Sequence, residues 1–289
     1  MSYFKLLGLQ REPFSTNPDP DFFYQTRGHM AAFYRLRVAI DLKRGLNLIL
    51  GDVGTGKSTL MRKLMGSLSQ EPGYIPKVIM DPTASSEHDC LVLLSHAFGL
   101  KPGFRGVSHY KKTLENFLFD QGLVNGKTIV LFIDEAQKLS SSSMEVLRLL
   151  LNYETNEIKL IQIVLFGQME LLPMISQMRN LWDRITLKYV INPLERDEIR
   201  ELIHFRLRQA GYIGGQPLFD DTALDAIYEY TQGYPRRTTM LCHDALEYLV
   251  MHDRPVVDGE VVRALIQQEV KPTISDHRLQ TAGFAKDGG

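Results

Sequence analysis

The sequence predicts an α/β fold, a five-stranded parallel sheet flanked by helices, followed by a smaller all-helical unit. Apolar runs at 46–50 and 127–133 have the continuous apolarity of strands buried on both faces of a parallel sheet. Helical and strand patterns alternate up to residue 193, and only helical patterns follow. We therefore expect an extended segment and a helix packing on the core at 1–45, an α/β core at 46–193, a helical lid at 194–270 and a flexible tail at 271–289.

The composition is that of an ordinary globular protein, with 44% apolar and 23% charged residues among 289. A formal net charge of −1 excludes a global basic field of the kind that attracts nucleic acid or an anionic membrane. The two cysteines, Cys90 and Cys242, form no C-x-x-C pair, and no run of about eighteen apolar residues occurs. These features favour a reducing, cytoplasmic compartment.

The residues before the first strand divide into two pieces. The first, 4–24, places three prolines among aromatic side chains and predicts an extended, turn-rich segment. The second, 29–43, has helical periodicity. The aromatic cluster Phe22, Phe23 and Tyr24 is expected either to wall the base of a bound nucleotide or to pack in the core. The next element supplies such a nucleotide site.

A phosphate-binding loop joins the strand at 46–50 to a helix that opens at Lys57. Gly51, Gly56, Lys57 and Ser58 stand at the spacing G-x-x-x-x-G-K-[ST], which lets backbone N–H groups wrap around phosphates at a helix N-terminus. Lys57 is expected to supply a positive charge, and the Ser58 hydroxyl a ligand to Mg²⁺. The predicted ATP-binding residues are Gly51, Asp52, Val53, Gly54, Thr55, Gly56, Lys57, Ser58 and Thr59.

A second strand at 77–80 and helices at 88–100 and 109–122 lead to a third strand at 127–133, which ends in two acids. This apolar run with terminal acids is the Walker B pattern. Asp134 is expected to hold the Mg²⁺ through its water shell. Glu135 is expected to orient or deprotonate the attacking water.

The serines at 140–143 can cap the next helix, because their side-chain oxygens accept hydrogen bonds from unpaired N–H groups. A fourth strand is predicted at 159–166 and a fifth at 185–191. Gln168, just after the fourth strand, is either a sensor of the γ-phosphate or a solvated loop residue. Helices are predicted from Glu195 to a stop at Gly211, near 220–230, and at 236–252 and 259–269.

These motifs together resemble an AAA+ P-loop ATPase. The stretches GDVGTGKSTL, IDEAQKLSSSSMEVLRLLLNYET, IVLFGQMELL and TQGYPRR resemble more specifically the ATPase domain of the ExeA/GspA family, over residues 1–270. The resemblance implies a homo-oligomer, such as a hexameric ring, that drives assembly of a secretion or pilus machine. Its implied partner is an inner-membrane assembly protein, which would bring this cytoplasmic chain to the membrane periphery. Fuller members of that family continue into a membrane-spanning segment and a periplasmic peptidoglycan-binding region.

The resemblance also implies roles for two arginines. Arg184 matches the arginine finger that reaches the γ-phosphate held by a neighbouring subunit, with Arg179 as the reserve candidate. Arg236 matches the sensor-2 arginine that contacts the nucleotide from the lid, and Arg237 is its alternative.

Two other functions stay open from the sequence. One is a DNA-binding ATPase resembling transposition helpers of the TniB/TnsC kind, for which double-stranded DNA is the partner and a basic surface is required. The other is a regulatory nucleotide-binding scaffold with negligible turnover, which Glu135 argues against. The basic candidates for DNA contact are Lys101, Arg105, Lys111, Lys112, Arg206 and Arg208.

Overall fold

A computed structural model describes residues 2–15, 19–101, 103, 106–156 and 158–270. The predicted tail at 271–289 lies outside these residues. The strands are β1 (Leu46–Leu50), β2 (Tyr74–Ile79), β3 (Thr128–Ile133), β4 (Ile161–Gly167) and β5 (Ile185–Val190). The helices are α1 (Tyr3–Leu6), α2 (Arg27–Asp41), α3 (Lys57–Ser69), α4 (Glu87–Phe98), α5 (Val107–Phe119), α6 (Ser141–Leu150), α7 (Leu171–Gln177), α8 (Arg179–Trp182), α9 (Arg196–Gln209), α10 (Asp221–Thr231), α11 (Pro235–Met251) and α12 (Gly259–Val270).

The five strands form one parallel sheet in the order β2-β3-β4-β1-β5. Every residue of β1, β3 and β4 is buried, because helices cover both faces of these central strands. Leu50 of β1 pairs with Gly167 of β4 and with Val190 of β5. The carboxyl ends of these three strands therefore meet at one edge of the sheet, and the predicted α/β fold is confirmed.

The second strand begins earlier than the sequence pattern predicts, at Tyr74 rather than residue 77. β2 lies at one end of the sheet order and is mostly half-buried, so it lacks a continuous apolar run. It also contains Pro76, a residue that sheets tolerate mainly on edge strands. The position of β2 at the edge of the sheet explains why the sequence pattern predicted only the last residues of this strand.

One predicted helix end differs from the structure, and the chain before β5 forms a broken helix. The helix predicted to end at 122 ends at Phe119 and continues as a π-helical turn, Asp120–Val124. The helical stretch before β5 is two short helices, α7 and α8. They are separated at Met178, whose backbone (φ −95°, ψ 74°) leaves the helical region.

From Arg196 to Val270 the chain is built of four helices, as predicted. A capping box between Glu195 and Glu198 begins α9, and Gly211, with φ of 85°, follows its end. Helices α9 to α12 enclose their own apolar cluster, which includes Ile199, Ile203, Ile227, Leu246 and Val262. This cluster is distinct from the two that cover the faces of the sheet.

The N-terminal residues contact both parts of the molecule. Helix α2 packs on the sheet through Ala32, Leu36 and Ile40. Leu9, Phe14 and Phe22 pack instead in the cluster of the lid helices. The expectation that the whole of 1–45 packs on the α/β core thus describes α2, whereas the extended segment lies mainly on the lid.

Along the described part of the chain, no helix combines the length and the apolarity needed to cross a bilayer. Cys90 and Cys242 are buried and unbonded to each other. Burial raises the pKa of both thiols, so neither is activated as a thiolate.

Candidate functional site

The predicted phosphate-binding loop connects the end of β1 to the start of α3. Gly56 has φ of 94°, in the left-handed region that favours glycine, and the ring of His29 lies where a side chain would begin. Thr55 donates from its hydroxyl to the Asp52 carbonyl (2.9 Å), which closes the loop on itself. Val53 is exposed at the tip, and Thr59 lines the cavity described below. The loop therefore presents the first turn of α3 to that cavity.

Lys57 is folded onto the loop. Its ammonium group donates to the carbonyl oxygens of Gly51 and Asp52, both at 2.8 Å, and only 7% of the residue is exposed. Burial lowers the pKa of this ammonium, while the charges of Glu135, Asp134 and Asp52 act in the opposite direction. The lysine is thus a nearly buried cation held beside three carboxylates.

Ser58 and Asp134 are brought together as the metal prediction requires. The Ser58 hydroxyl donates to Asp134 Oδ2 at 2.7 Å, and Asp134 is 3% exposed at the end of β3. A hydroxyl and a carboxylate oxygen are hard ligands of the type Mg²⁺ prefers. The residues present therefore fit the predicted ion.

Glu135 follows Asp134 in an unusual backbone conformation. Its φ is 50°, which a non-glycine residue rarely adopts and which is often found at functional sites. Its N–H donates to Asp134 Oδ1 at 3.0 Å, and its side chain lines the same cavity as Lys57 and Ser58. The two predicted acids therefore face the predicted phosphate site.

Gln168 lies directly after β4, the strand between β1 and β3. Its backbone N–H donates to Gln137 Oε1 (3.1 Å), and Gln137 Nε2 donates to Glu135 Oε2 (2.6 Å). Sequence reasoning did not identify Gln137 as a site residue. The available signal was its position two residues after Glu135, in the short turn that follows the strand.

A cavity of about 440 Å³ extends from the loop toward the lid. Lys57, Ser58 and Glu135 line it, as do the aromatic residues Phe23 and Tyr24. Phe22 also reaches this cavity, although it is only 5% exposed and belongs to the lid core. The cluster 22–24 thus lines the cavity and contributes one ring to the core, and its contact with a nucleotide base stays a prediction.

Arg236 enters the site from the lid. It occupies the second position of α11, lines the cavity and lies with its Cβ 3.1 Å from where a side chain on Gly54 would begin. Arg237 instead stacks its guanidinium over the Tyr234 ring, 5.1 Å from the ring centroid. The geometry therefore favours Arg236 over Arg237 as the lid arginine near the phosphates.

Arg184 lies away from the loop of its own chain. It precedes β5, whereas the loop follows the parallel strand β1, so the two are separated by roughly 20 Å of strand at about 3.3 Å per residue. Its guanidinium donates to Asn152 Oδ1 (2.6 Å) and to the Arg148 carbonyl (3.4 Å). Arg179, the reserve candidate, is exposed on α8. Neither arginine reaches the cavity within one chain.

Two further residues that the sequence did not single out hold the loop. His29, 3% exposed, donates from Nε2 to the Thr55 carbonyl (2.9 Å), and its Nδ1 lies 2.8 Å from the Thr26 hydroxyl. Tyr234 of the lid donates from its hydroxyl to Asp52 Oδ2 at 2.7 Å. Both contacts join distant parts of the sequence, so no local pattern marks them.

Three of the basic residues considered for DNA contact are paired with protein groups. Lys111 pairs with Glu87 (2.6 Å) and Lys112 with Glu115 (3.2 Å). Arg206 donates to the carbonyl oxygens of Pro13 and Ser15, so its charge points into the N-terminal segment. Lys101 and Arg208 are exposed, and Arg105 lies outside the described residues.

Comparisons with known proteins agree with this geometry. Residues 40–175 match the model of an AAA domain. The chain is 36% identical over 249 residues to general secretion pathway protein A of Aeromonas hydrophila, which covers 84% of this chain and 44% of that protein. It is 24% identical over 84% of its length to replication factor C small subunit 2 of Pyrobaculum aerophilum, covering 68% of that protein.

Among solved structures, the Aeropyrum pernix ORC2 protein in its ADPNP-ADP complexes matches with a TM-score of 0.62 at 16% identity, covering 90% of this chain and 72% of that one. That likeness shows the fold alone. The predicted resemblance to the ExeA/GspA family is confirmed by the match to general secretion pathway protein A, of whose length this chain spans less than half.

Proposed function

We propose that this chain, whose residues 40–175 match the model of an AAA domain, binds ATP with Mg²⁺ and hydrolyses it to ADP and phosphate. One observation carries the proposal: the Ser58 hydroxyl meets the Asp134 carboxylate at 2.7 Å, beside Lys57 and Glu135 on one cavity. Hydrolysis of a nucleoside triphosphate needs a positive charge beside the phosphates, oxygen ligands for the metal ion and a carboxylate near the attacking water. These residues supply all three.

Each residue has a distinct part in the proposed reaction. The loop N–H groups and Lys57 bind the phosphates, and Lys57 exchanges its present carbonyl partners for phosphate oxygens. Ser58 and Asp134 hold Mg²⁺, which neutralises charge on the phosphates when bound. Glu135 orients a water for attack in line with the bond from the γ-phosphorus to the bridging oxygen and accepts its proton. As the water oxygen bonds to the γ-phosphorus, the bond from the γ-phosphorus to the bridging oxygen breaks. ADP leaves with the electron pair of the broken bond.

Gln168 and Arg236 act on the phosphates from two directions. Gln168 follows the carboxyl end of β4, between the strands that carry the loop and Asp134. Arg236 is exposed at the start of α11 beside Gly54, from where it would contact a bound γ-phosphate. Positive and polar groups placed where charge develops stabilise the transition state.

The active form is proposed to be a homo-oligomer, such as a hexameric ring. Arg184 supports this, since it lies at the sheet edge opposite the loop, so a phosphate that it contacts would have to be bound by a neighbouring copy. In that arrangement Arg184 leaves Asn152 and reaches the γ-phosphate bound by the next subunit.

We place this ATPase in the cytoplasm, assisting a secretion or pilus machine of the envelope through an inner-membrane partner. The support is the sequence relation to general secretion pathway protein A, of which this chain spans 44%. The alternative DNA-dependent role has less support, because Lys111, Lys112 and Arg206 are already paired with protein groups.

The proposed ATPase function is tested by measuring the ATPase rate per protein molecule over a range of protein concentrations, with Mg²⁺ or with EDTA. Glu135→Gln is the matched variant: it should bind ATP as tightly as the wild-type chain and turn over at least about 100-fold more slowly. Undiminished hydrolysis by Glu135→Gln would remove this residue from the mechanism. Stimulation by double-stranded DNA that fades as salt rises would replace the envelope role with the DNA-dependent one.

A further inference from the structure

Gln137 connects the two strand ends that carry the candidate catalytic and sensor residues. One end of its amide contacts the Glu135 carboxylate (2.6 Å), and the other contacts the Gln168 backbone N–H (3.1 Å). These two partners are 33 residues apart in sequence, after β3 and β4 respectively. Gln137 is thus a side-chain bridge between neighbouring strands at the edge that faces the cavity.

The orientation of the Gln137 amide follows from its partners. The backbone N–H of Gln168 can only donate, so it requires the amide oxygen of Gln137. The amide nitrogen must then face Glu135, whose ionised carboxylate can only accept. A hydrogen bond to a charged acceptor is stronger than one between neutral groups. The contact with Gln168 therefore fixes the orientation of the Gln137 amide, and that orientation in turn allows the contact with Glu135.

The turn that carries Gln137 is itself held in place. Ala136 is fully buried and Leu139 is 3% exposed, so both flanks of Gln137 are anchored in the apolar cluster under the sheet. The N–H of Lys138 donates to the Glu135 carbonyl at 2.9 Å, which closes the turn. Gln137 accordingly contacts Glu135 from a rigid support.

The bridge occupies one carboxylate oxygen of Glu135 and leaves the other available. Gln137 binds Oε2, while the Glu135 side chain still lines the cavity with Lys57 and Ser58. A catalytic base oriented by a third group is a recurring arrangement in hydrolytic sites. The left-handed backbone at Glu135 is a strained conformation of the kind that persists only where the surrounding structure holds it, often at active sites.

We propose that Gln137 is a positioning residue that orients Glu135 for water activation and couples it to the γ-phosphate sensor Gln168. This inference rests on the proposed ATPase function. When the Gln168 side chain meets a γ-phosphate, any displacement of its backbone moves the Gln137 amide and with it the Glu135 carboxylate. The Glu135 carboxylate is then correctly oriented only when a nucleoside triphosphate is bound.

The test uses steady-state ATPase kinetics and nucleotide binding of the full chain. Gln137→Ala should lower kcat between about 10-fold and 100-fold, since misplacing a catalytic group by about 1 Å costs up to roughly 100-fold. The affinity for ADP should be unchanged, because Gln137 touches none of the loop residues. Gln137→Glu, of the same shape, should lose kcat similarly because an ionised carboxylate cannot donate to Glu135. Gln209→Ala, at an exposed site on α9, is the matched control.

A double-mutant cycle tests the coupling. Gln168→Ala removes the sensor side chain but keeps the backbone N–H. If Gln137 relays its effect, Gln137→Ala with Gln168→Ala should lose little more kcat than the worse single variant. Losses that simply multiply would overturn the coupling, and an unchanged kcat in Gln137→Ala would overturn the positioning role. A wild-type chain with no turnover would instead overturn the proposed function itself.

Discussion

At the scale of single residues, the predicted phosphate-binding loop supplies acceptors for its own lysine. Lys57 donates to two loop carbonyls and is nearly buried, so its charge is hydrogen-bonded within the loop. Binding a phosphate would replace these neutral acceptors with charged ones. The gain from charge-assisted hydrogen bonds is then the main difference between the two states.

Replacing Lys57 tests this reading. Lys57→Ala should weaken ATP binding by at least about 100-fold, because hydrogen bonds to charged groups are worth up to roughly 3 kcal/mol. Titration with a fluorescent ATP analogue measures the affinity. Lys112→Ala is the control, since the Lys112 side chain is 65% exposed and pairs only with Glu115. Tight ATP binding by Lys57→Ala would contradict the assignment of the loop.

His29 makes the stability of the site depend on pH. Burial lowers its pKa in the folded chain below the ordinary value of 6.5, more than the Thr55 hydrogen bond and the Glu198 charge raise it. Below about pH 6.5 the unfolded chain therefore binds a proton that the folded chain does not, and stability falls as pH falls toward the folded pKa. Above about pH 6.5 the stabilising contribution of neutral His29 is fully present.

Thermal unfolding measured from pH 7 to about pH 5 checks this sign. The Tm of His29→Gln should fall less steeply over this range than the Tm of the wild-type chain, because glutamine does not titrate. His96→Gln, at an exposed position on α4, should keep the wild-type slope. Equal slopes for His29→Gln and the wild type would rule His29 out as the source.

At the scale of elements, the lid and the loop meet through a few specific contacts. The N–H of Leu194 donates to the Gly233 carbonyl at 2.8 Å, and a side chain on Gly233 would begin 2.0 Å from the Leu194 carbonyl oxygen. This close approach and the positive φ of 78° require glycine at 233. Tyr234 next to it then reaches Asp52 of the loop.

Removing the Tyr234 hydroxyl should loosen the lid on the loop. Tyr234→Phe loses one hydrogen bond worth about 1 kcal/mol, which corresponds to a roughly five-fold faster release of ADP. Stopped-flow displacement of a fluorescent ADP analogue measures this rate. Tyr212→Phe removes a comparable hydrogen bond, to the Gln216 carbonyl, within the lid and should leave the rate unchanged. A rate for Tyr234→Phe equal to that of Tyr212→Phe would show that this contact does not restrain the lid.

The sequence predicted elements well where one physical cause dominates. The strands β1, β3 and β4 were evident because burial on both faces requires unbroken apolarity, and the loop because phosphate binding requires fixed spacing. The first residues of the edge strand β2 and the break at Met178 were not, since the edge position arises from the order of the strands and no local pattern marks the break. His29, Gln137 and Tyr234 escaped prediction for the same reason: their roles arise from contacts across the fold.

At the scale of the whole molecule, the proposed active site would be shared between copies of the chain. The loop edge of the sheet carries Lys57, Ser58 and Glu135, and the opposite edge carries Arg184, the proposed finger. A head-to-tail arrangement of copies would bring these residues together, and such heterologous contacts form a ring when the rotation between copies closes. The rate of hydrolysis should then depend on association.

Mixing variants tests the shared site. Arg184→Ala should bind ATP normally and lose the part of its turnover that rises with protein concentration, because the transition state loses a positive charge. Adding Glu135→Gln protein, whose Arg184 is intact, should restore ATP hydrolysis by the Arg184→Ala subunits, whose loop and Glu135 are intact. Arg179→Ala should keep the wild-type rate. If the mixture is no more active than its components, the finger does not act between subunits.

The path of the N-terminal residues gives the molecule a mechanical linkage. Phe22 packs in the lid core, while α2 packs on the sheet, and residues 23–26 connect Phe22 to the start of α2, where Thr26 contacts His29. A rotation of the lid relative to the sheet would therefore displace this strap. Since His29 donates to the Thr55 carbonyl, the displacement would reach the loop that is proposed to bind the phosphates. Force applied to the lid by a partner would reach the nucleotide through this strap as well as through α11.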